Sequence, residues 1–182
     1  MNYQFSKLES GLRVLTVPMA NRESAAVAVW VKAGGRYESK KISGISHYLE
    51  HMMFKGTPTR STRQIKEEIE GVGGVLNAFT GEEMTCYFAK LLKQYYPRAL
   101  DVLSDMVLHS TLPAHELARE RTVILEEIKM YRDVPSHHVQ DLMGELLWPD
   151  QPLGRTLAGS PETVSRMTRA DILKYKKDYY HN

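Results

Sequence analysis

Cysteine is almost missing: Cys86 is the only one in 182 residues. No intrachain disulfide can form, and zinc sites built from several cysteines are excluded. An excess of one charge is missing too. Twenty-four Lys and Arg stand against 22 Asp and Glu, a net charge of +2. No dense Lys/Arg stripe is visible, so no nucleic-acid partner is expected. Long apolar runs are also lacking. The longest, Ser24 to Val31, is far too short to cross a bilayer, so no membrane partner is expected. The opening MNYQFSKLES has no basic segment followed by an apolar one, and no signal peptide is read there. What remains is an ordinary soluble mixture, 42% apolar and 25% charged, of a length that suits one domain with its own core. The expected location is cytoplasmic.

Local patterns predict the elements. Tyr3 to Leu8 and Leu12 to Pro18 flank Glu9-Ser10-Gly11 and read as a hairpin. Ser24 to Lys32 is apolar at both alternations and is expected to be a central strand. After the loop AGGRYES, a helix runs from about Ser43 to Lys55, stopped by Gly56 and Pro58. Ser61-Thr62-Arg63-Gln64 is a capping box that opens a second helix to about Val72. Val75 to Thr80 and Thr85 to Leu92 form a hairpin. A helix then places Tyr96, Leu100, Leu103 and Val107 at helical spacing, and Pro113 opens another to about Tyr131. Weaker helices cover Ser136 to Leu147 and Thr168 to Tyr180, the latter with Thr168 and Asp171 in cap positions. Strands and helices mix without regular alternation. The expected class is α+β, an antiparallel sheet with helices packed on one face.

The chemistry lies in HYLEHMMFKGT. His47 and His51 are one helical turn apart, so both imidazoles project from one face and can grip one metal ion. Glu50 shares that face and can reach a metal-bound water without being a ligand. Bound zinc lowers the pKa of such a water to about 7, and a carboxylate then takes its proton. A catalytic zinc needs a third protein ligand. The helix after Pro113 carries an inward stripe of Leu117, Glu120, Ile124, Glu127 and Tyr131. Two carboxylates in an apolar seam call for partners such as a metal or a metal-bound histidine. Glu126 lies about 100° around the helix and has the weaker claim. Taken without the histidine motif, this stretch reads as a charged helix with solvated glutamates. His137 and His138 are adjacent and face different ways, as surface residues would; His109 and His115 flank a loop and are expected to be exposed. Cys86 and the Met52-Met53 pair are expected in the core.

These segments together resemble the pitrilysin/insulinase/mitochondrial processing peptidase family, the inverted-motif zinc peptidases. The resemblance rests on HYLEHMMFKGT, on GGVLNAFT (73–80) with Thr85 and Tyr87, on ERTVILEEIKMYRD from Glu120, and on Pro152-Leu153-Gly154 followed by GSPETV. The step from His51 to Glu127 is 76 residues, the family's separation between its second histidine and its glutamate ligand. The resemblance implies a zinc metalloendopeptidase half-domain of the processing-peptidase type, with Zn²⁺ held by His47, His51 and Glu127. It makes Glu50 the base that activates water and Glu120 the carboxylate that orients a ligand histidine. Asn77 and Ala78 match the segment that binds substrate backbone, where an extended peptide would add as a strand.

The resemblance further implies two similar domains enclosing the peptide, with 1–182 expected to be the zinc-binding N-terminal one, ending before that domain's last strand. The implied partners are an unfolded peptide and a second homologous domain or subunit, with a homo-oligomer left open. Two other functions compete. A non-catalytic scaffold subunit derived from such a peptidase usually loses motif residues, and this chain keeps all of them. S-ribosylhomocysteine lyase shares the His-x-x-Glu-His helix, but it draws its third ligand from a Cys-containing Gly-rich segment, and Cys86 sits in TCY instead.

Overall fold

A computed structural model describes residues 2–181. The elements run β1 (Gln4–Lys7), β2 (Arg13–Thr16), β3 (Ser24–Val31), α1 (Ile45–Met53), α2 (Thr62–Glu70), β4 (Val75–Thr80), β5 (Thr85–Leu92), α3 (Tyr96–His109), α4 (Ala114–Asp133), α5 (Pro135–Leu147), α6 (Pro161–Arg166) and α7 (Arg169–Tyr179). Every strand pair is antiparallel: β1 with β2 in one ribbon, and β3-β5-β4 in a three-stranded sheet. The expected α+β arrangement is the one found.

The sheet has a dry face and a wet one. Leu76, Tyr87, Ala89 and Leu91 point into the core with Val31, and α1 and α3 pack over them. On the opposite face Trp30 and Phe79 meet edge to face over Cys86, with ring centroids 5.6 Å apart. Cys86 is buried there as expected, while Trp30 and Phe79 stay exposed.

The expectation of a central β3 fails. The middle strand is β5, and β3 lies at one side with alternate residues exposed. Its Ala- and Val-rich run looks buried on both faces because small apolar side chains carry no mark of which face is covered. The stripe on α3 is also rotated from the one expected. Ala99, Val102, Leu103, Met106 and Val107 are buried, whereas Tyr96 and Leu100 are exposed. The short helix α6 was not anticipated, although Ser160 before Pro161 is an N-cap signal, and Ser160 and Thr163 form a capping box there.

The helix α1 is the most enclosed element. It packs against β4, α4 and α7, and Ile45, Leu49, Met52 and Met53 lose all exposure. Burying each such side chain contributes about 1.5–3 kcal/mol. Gly44, just before it, has φ +93°, and a Cβ there would stand 2.6 Å from the carbonyl oxygen of Ala158. Only glycine fits this conformation and this approach. The capping boxes expected at Ser61/Gln64 and Thr168/Asp171 are both formed. No helix among the described residues is long and apolar enough to cross a membrane.

Candidate metal centre

One face of α1 is core; the other carries His47, Glu50 and His51, all half-buried. From α4, Glu127 reaches across to them. Its Oε2 lies 3.6 Å from His47 Nε2 and 3.5 Å from His51 Nε2. The three donor atoms sit within 4.8 Å of one another, the one such His/Cys/Asp/Glu group among the described residues.

This arrangement fits a zinc ion. Tetrahedral bonds of about 2.0–2.1 Å hold ligand atoms about 3.3–3.4 Å apart, close to the spacings of Glu127 Oε2 from the two rings. Glu127 Oε2 is buried without a hydrogen-bond partner, a costly position for a carboxylate oxygen unless a cation satisfies it. Burial, and then the neighbouring His51, push His47 down to about 4, so its ring is neutral at pH 7 and has a lone pair to offer.

Glu120 is 7% exposed and pinned at both oxygens. Lys55 Nζ donates to Oε1 at 2.6 Å, and Oε2 lies 3.0 Å from His51 Nδ1. Burial works to raise its pKa, but the hydrogen bonds from Lys55 and His51 outweigh burial and lower it. An ionised Glu120 accepts from Nδ1–H, which leaves Nε2 of His51 with its lone pair toward Glu127. Glu126 is turned out to solvent and accepts from Lys129 at 2.6 Å.

Glu50 accepts a hydrogen bond from the hydroxyl of Thr80, the last residue of β4. Burial pushes its pKa up; Thr80 and His51 pull it down, Glu127 pushes it up again, and the net direction is up. A cleft of about 540 Å³ opens beside it, lined by His47, Glu50, Ala78, Thr80, Tyr131 and Arg155 among others. Ala78 N–H donates to the side-chain Oδ1 of Asn77 at 2.8 Å, and Asn77 is exposed on β4, which among the described residues has β5 on one side and no strand on the other.

Some expectations need correction. Tyr131 does not face the core with Glu127; it is 37% exposed and lines the cleft, because α4 runs past the core before its last turn. His137 is exposed but also lines that cleft, its ring 5.5 Å from that of Tyr131, while His138 is half-buried. Thr80, Lys55 and Arg155 were not singled out from sequence. Lys55 lies four residues after His51, a helical spacing that could have flagged it; nothing local marks the other two.

Comparison with known proteins identifies the family. The family model for insulinase (peptidase family M16) matches residues 13–161. The chain is 43% identical over 172 residues to an uncharacterized zinc protease of Bacillus subtilis, spanning 94% of this chain and 42% of that protein. It is 42% identical over 173 residues to an Arabidopsis thaliana protein described as a "probable mitochondrial-processing peptidase subunit beta", spanning 95% of this chain and 33% of that one. A crystal structure of a protease from Helicobacter pylori superposes with a TM-score of 0.94 at 28% identity, over 99% of this chain and 44% of that one. The chain thus spans less than half the length of these relatives. With two thirds or more of its residues inside the family model and both histidines facing Glu127, the chain belongs to the insulinase (M16) peptidase family.

Proposed function

We propose that this chain is the zinc-binding domain of a metalloendopeptidase that cleaves extended peptides by Glu50-assisted attack of water. The observation that carries the reading is the convergence of His47, His51 and Glu127 on one point beside Glu50. His47, His51 and Glu127 would hold the ion. Bound zinc supplies the Lewis acidity that brings the pKa of water near neutrality. Glu50 takes the proton of the attacking water; a carboxyl pushed upward by burial is a stronger base than an exposed one and can return the proton to the leaving amine. Thr80 orients that carboxylate. The open side of β4 would pair with the peptide main chain as an added strand, with Asn77 and Ala78 at the point of contact.

The length of the relatives supports a second homologous domain that closes over the cleft, supplied by a longer polypeptide or a separate chain. A metal-free scaffold would have no use for an unpartnered buried carboxylate oxygen between two imidazoles. The test combines metal analysis with a quenched-peptide assay in the presence of the second domain. About one zinc per chain is expected. Glu50→Gln should keep the zinc and lose about 10²- to 10⁴-fold in turnover. Full turnover in that variant removes Glu50 from the mechanism, and absence of zinc from the parent removes the peptidase reading altogether.

A further inference from the structure

The two histidines of α1 are held in different ways. His51 lies a full turn inside the helix, and Glu120 fixes its ring through Nδ1. His47 is the third residue of the helix, and its buried Nδ1 has no hydrogen-bond partner. No side chain orients the His47 ring by a hydrogen bond, so the backbone of the first turn must place it. First turns fray, because their N–H groups have no acceptor within the helix.

Here the acceptors come from outside. Gly44 at the N-cap has no side chain to cap with. Instead Glu38, six residues upstream and 3% exposed, turns its carboxylate onto the start of α1. Its Oε2 accepts Gly44 N–H at 2.7 Å and its Oε1 accepts Ser46 N–H at 2.8 Å. Both oxygens are used on the two residues that precede Ile45 and His47. The surroundings keep Glu38 in place: Arg155 donates to its backbone carbonyl, and Ser46 Oγ meets Tyr175 OH at 2.8 Å. A carboxylate at a helix N-terminus is also favoured by the helix dipole.

We propose that Glu38 is a positioning residue of the metal site: it fixes the first turn of α1 and thereby the aim of the His47 imidazole at Glu127. Its carboxylate touches neither the candidate ligand atoms nor the cleft lining, so its effect on the metal runs through the first turn and His47. The inference rests on the metal-site reading above, and its test separates the two.

Zinc affinity is measured by chelator competition on the 182-residue chain and on Glu38→Gln, each in the parent and in a His47→Ala background. Glu38→Gln should weaken zinc about 10-fold in the parent, the lower end of what losing a ligand's supporting contact costs. In the His47→Ala background it should cost nothing further, since the group it serves is gone. Cobalt(II) at saturation should give an altered ligand-field spectrum in Glu38→Gln, a change that loss of global stability alone does not produce. If Glu38→Gln does not fold, Glu38→Asp keeps the charge and shortens the reach, and a loss of a few-fold in the parent alone is expected. Equal losses in both backgrounds, or none in the parent, overturn the proposal. A parent that binds zinc no better than His47→Ala instead sinks the metal-site reading, and the role of Glu38 falls with it.

Discussion

Two polar clusters flank the loop that leaves α1, and they are built on opposite rules. On one side Asp105 of α3 is hydrogen-bonded at both oxygens. Thr57, Thr59 and Arg60 donate to its Oδ2 at 2.7, 3.0 and 2.8 Å, and His109 Nδ1 lies 3.1 Å from its Oδ1. Arg60 in turn binds Glu68 and Asp101. On the other side, Glu127 Oε2 is buried between the Nε2 atoms of His47 and His51 with no hydrogen-bond partner. A saturated cluster ties elements together and has no capacity left for a ligand. An unsaturated one costs stability on its own, and that cost is offset only when something binds. Polar composition alone does not tell the two apart; the unused atoms do.

The sharpest way to break this comparison is to remove a candidate ligand. His51→Ala should lose zinc almost completely while keeping the fold, as judged by metal content and far-UV circular dichroism. Full stoichiometric zinc in that variant would mean the unsaturated corner is not the metal site. The carboxylates grade the same contrast. Glu127→Gln should weaken zinc sharply, since a neutral amide is a poor zinc ligand. Glu120→Gln should cost about 10- to 100-fold, and Glu126→Gln, whose side chain is out in solvent, should change little. Competition with a chelator ranks the three; if Glu126→Gln proves worst, the facing of α4 is wrong.

The saturated cluster should respond in stability and not in metal. Burial works against the charged form of Asp105, but the hydrogen bonds from Thr57, Arg60, Thr59 and His109 outweigh it and hold the carboxyl down at about 2, below its ordinary 3.8. A depressed carboxyl stabilises the fold above its unfolded pKa, and that stability is lost as pH falls through the folded value. Asp105→Asn should therefore cost about 2 kcal/mol at pH 7. The gap to the parent should narrow below about pH 4 and close near pH 2. Urea unfolding across that range measures it. A ten-fold change in zinc affinity in this variant would show that the two clusters are coupled, against the contrast drawn here.

How far the sequence alone reached follows the same division. His47, Glu50 and His51 are legible because helix periodicity puts them on one face, and Glu120 and Glu127 because they interrupt an apolar stripe. The hairpins and two capping boxes follow from short-range turn and cap chemistry. Thr80 against Glu50 and Arg155 against Glu38 are not legible, because each joins segments whose separation has no period. Glu38 sits only six residues from Gly44, yet a carboxylate in a loop looks the same whether it caps a helix or faces water. The placement of β3 was missed for a related reason: strand order is set by pairing across the chain, and a run of Ala and Val fits an outer strand as well as a middle one.

The pinning of Glu120 between Lys55 and His51 has a consequence for charge. The corner sets three carboxyl groups, Glu50, Glu120 and Glu127, against the single ammonium of Lys55. The formal remainder is minus two. One divalent cation would cancel it, whereas a monovalent ion would leave one negative charge over. Lys55 thus sets the formal charge that the corner would present to an ion, although it never touches the candidate ligand atoms.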